Sequence, residues 1–85
     1  MDANNIALLY RRAFPKKQIE RIFMHDGKFV LEAYPKGESA NDRAYCAYYT
    51  FDPKTKNFDP YTPMNVSIAE TDRFFESAKH KLPFE

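Results

Sequence analysis

Apolar positions recur along the chain with two periods, and polar turn signals separate the segments. Ile6, Leu9, Tyr10, Ala13 and Phe14 fall three and four apart, the spacing of one helix face, and Pro15 stops the run. Asn4 and Asn5 are good caps, so the pattern predicts a helix from about Asn5 to Ala13. Arg11 and Arg12 fall in its last turn, where cations suit the helix dipole.

The next two segments, Gln18 to Met24 and Lys28 to Tyr34, flank Asp26-Gly27. Asp-Gly between apolar runs is a strong hairpin signal, because a type I′ turn needs positive φ at both central positions. A two-residue loop fixes the register. His25 faces Lys28, Met24 faces Phe29, Phe23 faces Val30, Ile22 faces Leu31, Arg21 faces Glu32, and Ile19 faces Tyr34. The Arg21–Glu32 pairing sets opposite charges across the strands, which is favourable. One face then carries Ile22, Met24, Phe29, Leu31 and Ala33 and reads as core. The other carries Ile19, Arg21, Phe23, Val30, Glu32 and Tyr34 and is mixed.

Pro35 to Arg43 is a polar loop. A second hairpin follows, with Ala44–Phe51 and Phe58–Thr62 rich in the aromatic and β-branched types that suit a pleated surface. Asp52-Pro53 opens its turn, and Asn57 is the residue best suited to a left-handed closing position. Pairing Phe51 with Phe58 sets Thr50 against Asp59 and Tyr48 against Tyr61. Tyr45, Ala47, Tyr49, Phe51, Phe58 and Pro60 share one face; Cys46, Tyr48, Thr50, Asp59 and Tyr61 share the other. Pro60 and Pro63 mark the return strand as an edge, since a central strand needs its donors.

Ser67-Ile68-Ala69-Glu70 has the form of a capping box. Ile68, Thr71, Phe75, Ala78 and Leu82 then give a helical stripe with Phe74 beside it, and Pro83 ends the run. The expected fold is α+β and a single domain over residues 1–85. It has one four-stranded antiparallel sheet made of two consecutive hairpins, in the order α-β-β-β-β-α. The economical packing sets the N-terminal and C-terminal helices on one face, leaving the second face at least partly open.

Composition narrows the function. Aromatics make up 16% of the chain and charged residues 29%, as in a water-soluble globule with a modest core. No apolar run approaches the roughly 20 residues that span a membrane. One cysteine excludes an internal disulfide and points to a reducing, cytoplasmic setting. Net charge is +1, so no global field selects a partner. The charge is uneven, however: residues 1–36 hold seven Lys and Arg against four acids, and residues 37–85 hold six against eight.

Catalytic types are sparse. Cys46, His25 and His80 lie in separate elements and no motif joins them. One Cys and two distant His have no zinc spacing, and the two glycines form no phosphate loop. No cofactor is implied and the expected activity is non-enzymatic. The aromatic face offers more. Arg21, Phe23, Tyr34, Tyr48 and Tyr61 fall together on the mixed face, and Tyr and Arg are favoured anchors of protein interfaces. The leading expectation is a small protein-binding module of the adaptor or inhibitor type; by analogy of size alone, phages and mobile elements encode such chains. A homodimer would use the same surfaces. The alternative is a single-stranded nucleic-acid-binding domain. Bases would stack on the same aromatic face, and Arg11, Arg12, Lys16 and Lys17 would contact phosphates.

Overall fold

In the computed structural model, which describes residues 2–37, 46–62 and 67–84, the elements follow the expected order. They are helix α1 (Ala3–Ala13), strands β1 (Lys17–His25), β2 (Lys28–Pro35), β3 (Ala47–Asp52) and β4 (Asn57–Tyr61), and helix α2 (Ile68–Ala78). The strands form one antiparallel sheet in the order β1-β2-β3-β4. Pro35, expected to open the loop, instead ends β2; residues 38–43 of that loop, Ala44 and Tyr45 of the expected strand, and Pro63 lie outside the described residues.

Local chemistry sets both hairpins. Asp26 and Gly27 take φ of 49° and 77°, as a type I′ turn demands. Pairing from His25–Lys28 back to Arg21–Glu32 follows the expected register, and the second hairpin pairs Phe51–Phe58, Thr50–Asp59 and Tyr48–Tyr61. Two details differ. The register shifts between Ile19 and Arg21, so Ile19 pairs with Ala33 and not with Tyr34. The bulge at Glu20 turns Ile19 onto the apolar face, where it packs against the core. In the second turn the positive φ of 60° falls on Lys56, not Asn57. There Lys56 N–H donates to the Asp52 carbonyl at 2.7 Å, and the Asp52 carboxylate accepts from Lys54 N–H at 2.9 Å.

Helix α1 starts earlier than its asparagines imply. The Asp2 carboxylate accepts from Asn5 N–H at 2.9 Å and is the cap. An earlier start brings Ala3 and Ala7 onto the buried face beside Ile6 and Tyr10. Those residues cover Ile22, Leu31, Ala33 and Phe51 to form the first core, with Leu9, Phe14, Ile19, Phe29, Tyr49 and Phe58 around it. Met24, expected in this core, is 40% exposed.

The two helices lie on opposite faces of the sheet, not together on one. Phe74 and Ala78 of α2 pack on Phe23 and Val30, with Tyr48, Tyr61 and Phe75 at the margin. Phe23 and Val30 alternate with Ile22 and Leu31 along their strands and so point the other way. The reason is apolar area. A face holding Phe23, Val30, Tyr48 and Tyr61 is too hydrophobic to leave in water once α1 has filled the first.

Helix α2 is also rotated from the expected stripe. Phe74 and Ala78 are its buried residues, Phe75 is half-buried, and Ile68 is 83% exposed. Ser67 caps it as predicted, accepting from Glu70 N–H at 3.3 Å. The helix stops at Ala78, and Leu82 belongs to an extended tail. Leu82 N–H donates to the Ile22 carbonyl at 2.7 Å, and Leu82 and Phe84 reach the first core. The tail thus bonds to the outer edge of β1 at Ile22. The other sheet edge, β4, carries Pro60, which offers a partner strand no N–H.

Candidate functional site

Strand alternation does bring Arg21, Phe23, Tyr34, Tyr48 and Tyr61 to one face, as the register requires, but α2 lies over that face. Phe23 is fully buried against the Phe74 ring at 5.3 Å, and Tyr34 is buried as well. Arg21, Tyr48 and Tyr61 remain half-exposed. The flat, open stacking surface expected from the sequence is therefore replaced by a rim. Tyr48 and Tyr61 sit side by side across β3 and β4, with ring centroids 4.9 and 5.5 Å from Phe74. Phe75 flanks Phe74 from the helix at 5.5 Å. Phase along α2 put Phe75 at the centre of the buried stripe, and the observed rotation moves it to this rim.

Behind the rim is a polar knot. Glu32, only 4% exposed, accepts from Tyr48 Oη at 3.0 Å and from Tyr34 Oη at 3.3 Å. Arg21 Nε lies 3.2 Å from the same carboxylate. A buried carboxylate is tolerated when it is paired and hydrogen-bonded, and Glu32 has two hydroxyl donors and the Arg21 charge beside it, while Arg21 Nε itself makes no hydrogen bond among the described residues. Burial, then the Cys46 thiol and the Glu32 carboxylate, push both tyrosine hydroxyls above the ordinary phenol range. Cys46, just before β3, is half-buried, and its thiol adds to the upward push on both hydroxyls.

A second polar cluster has no sequence signal at all. His25 Nδ1 lies 2.9 Å from Ser77 Oγ, and His25 Nε2 lies 3.4 Å from the Asp26 carboxylate. Arg73 holds Asp26 with two contacts of 2.9 and 3.1 Å. Serine, histidine and aspartate in contact invite comparison with a hydrolytic triad, but the Ser77 hydroxyl has a competing acceptor. Ser77 Oγ donates to the Arg73 carbonyl at 3.0 Å, one turn back. The hydroxyl has a single proton, so whenever it lies on that carbonyl a His25–Ser77 bond needs Nδ1 as its donor. Nucleophilic activation needs the reverse, a serine proton passing to histidine. The cluster ties α2 to the first hairpin. His80, two residues past α2, is exposed, and its backbone N–H donates to the Ser77 carbonyl at 3.1 Å. Among the described residues no three His, Cys, Asp or Glu side chains converge as metal ligands, and no helix is long and apolar enough to cross a membrane.

The predicted phosphate contacts separate into two groups. Arg12 and Lys16 are exposed. Arg11 and Lys17 line a cleft of about 200 Å³ together with Lys36, which the sequence pattern did not single out. By contrast, a groove of about 530 Å³ near the two hairpin turns mixes Lys28 and Lys54 with Asp52 and Asp59, and so favours neither sign of ligand charge. Compared with known protein families, curated proteins and solved structures, the chain matches none of them.

Proposed function

We propose that this chain is a small non-enzymatic protein-binding module of the adaptor or inhibitor type, and that its contact surface is the rim of the α2 face. The observation that carries the reading is the half-exposed group of Tyr48, Tyr61 and Phe75 around the buried Phe74 ring, with Arg21 on the same sheet face. Binding energy concentrates in aromatic and arginine side chains that a rigid base already holds in place. Here the base is Phe74 above and the Glu32 knot below. Phe23 and Tyr34 support the surface from beneath and make no contact themselves.

The test uses the full chain as bait in lysate of its source organism, with and without nuclease, alongside Tyr61→Ala and Phe75→Ala. A discrete protein retained in both halves and lost with either variant supports the module. Equal retention by the native chain and both variants removes the rim from consideration. Material released by nuclease moves the reading to a single-stranded nucleic-acid partner. Mass in solution decides whether a second copy of the chain is the partner.

A further inference from the structure

We propose that the groove between the two hairpin turns binds a small zwitterion of short-peptide size, with an ammonium and a carboxylate carried on one molecule. Sheet register makes the groove. The pairing of β2 with β3 ends at Phe29–Phe51. Lys28 and Asp52 come next along their strands and are not paired with each other in the ladder. Beyond them the chain turns back at Asp26-Gly27 on one side and at 53–56 on the other. The two turns therefore stand past the last shared rung, and a groove of about 530 Å³ is lined from both of them and from β4.

Both turns are locked by their own chemistry. Asp26 and Gly27 take the positive φ of a type I′ turn. In the second turn the Asp52 carboxylate accepts from Lys54 N–H at 2.9 Å, and the Asp52 carbonyl accepts from Lys56 N–H at 2.7 Å. A groove that is already formed has little ordering cost on binding, and this volume falls in the range of small-molecule sites. None of Tyr48, Tyr61 and Phe75 lines it, so the groove is distinct from the aromatic rim.

The charges decide the ligand. Lys28 comes from the first hairpin, Lys54 from the second turn and Asp59 from β4, and all three are exposed. Asp52 is engaged within its own turn, so the carboxylate offered to a ligand is that of Asp59. Among the described residues, Lys28, Lys54 and Asp59 form no ion pair with one another. Asp26 shows the contrast, since Arg73 holds it with contacts of 2.9 and 3.1 Å. Opposite charges are thus gathered round one space without neutralising each other across it. A ligand of one sign is attracted by part of this lining and repelled by the rest. A zwitterion sets its carboxylate on the lysines and its ammonium on Asp59, and both contacts are charge-assisted hydrogen bonds. Phe29, Phe51 and Pro53 add apolar lining for the atoms between the two charges.

The experiment is a titration of the isotope-labelled full chain followed by amide NMR at fixed ionic strength and about pH 6.5, where amine and carboxyl termini are both charged. The probes are trialanine, its N-acetyl form, which keeps only the carboxylate, and its C-terminal amide, which keeps only the ammonium. Saturable shifts of the Gly27, Lys28, Lys54 and Asp59 amides are expected with trialanine, and each blocked form should bind about fivefold more weakly. With Asp59→Asn, trialanine should bind no better than its N-acetyl form. With Lys28→Gln/Lys54→Gln, it should bind no better than its amide. Both variants retain the bonds of the second turn, which use main-chain groups and Asp52. Shifts that do not saturate, a blocked form that binds the native chain as tightly as trialanine, or variants that keep the native preference overturn the site.

Discussion

His25 Nδ1 and Ser77 Oγ lie 2.9 Å apart, joining the first hairpin to the last helix across 52 positions of sequence. The contact is partly buried, and the His25 ring also meets Phe74 edge-on at 5.3 Å. Each of His25→Ala and Ser77→Ala should lower stability by about 1–2 kcal/mol. The double variant should cost less than the sum, with a coupling of at least about 0.5 kcal/mol. Urea unfolding of the four proteins measures this, and strict additivity would show that the two side chains act independently.

Phe74 is the central ring of the second core, touching Phe23, His25, Tyr48, Tyr61 and Phe75. Phe74→Ala should cost about 3–5 kcal/mol, the range for a buried aromatic. Because α2 rests on this ring, amide exchange should rise first along α2 and along the faces of β1 and β3 beneath it. Uniform loss of protection, with α1 opening in step, would mean that the two cores unfold as one unit.

Glu32 is the acceptor on which two tyrosines and an arginine converge. Glu32→Ala should destabilise by about 3–5 kcal/mol, since it leaves Arg21 without its partner and two hydroxyls unfilled. Tyr48→Phe keeps the ring on Phe74 and removes one bond, at about 1–1.5 kcal/mol. Tyr48→Ala loses both ring and bond and should cost more than the Phe variant. Thermal or urea unfolding of the three variants checks the ranking.

Alkaline pH should weaken the fold through its buried tyrosines. Burial is the largest cause raising Tyr10, Tyr34 and Tyr48 above the phenol value, and the Tyr49 hydroxyl adds to it for Tyr10. In the unfolded chain each ionises near about pH 10. The folded state favours the neutral form, so the stabilisation is complete below about pH 10. It is lost as pH climbs toward the higher folded values. The unfolding midpoint should be level at neutral pH and fall above about pH 10. Tyr10→Phe should reduce the fall. It should leave neutral stability unchanged or higher, because the Tyr10 hydroxyl is buried without a hydrogen-bond partner among the described residues.

Local chemistry determined a large part of this protein from sequence alone. Asp26-Gly27 dictated a turn that only positive φ satisfies, and the turn fixed Arg21 against Glu32. Ser67 capped its helix because a serine oxygen and an amide three residues on are close in any helix start. Pro60 placed its strand at an edge because it has no N–H to give. Each of these is a short-range constraint, legible in a few residues.

Tertiary packing decided the rest. The alternation of Phe23 with Ile22 gave the sheet one apolar and one mixed face, and the expectation set both helices on the apolar one, whereas the structure sets one helix on each. That depended on the whole area each face could bury, and the answer turned an expected open surface into a core with a rim. Periodicity along α2 admits Phe74 and Phe75 about equally as the inward residue, and the fit against Phe23 and Tyr48 chose Phe74. The His25–Ser77 contact and the arrival of Lys36 at the cleft lined by Arg11 and Lys17 join segments far apart in the chain. Such meetings leave no local trace, because proximity there is a property of the folded sheet and not of sequence spacing.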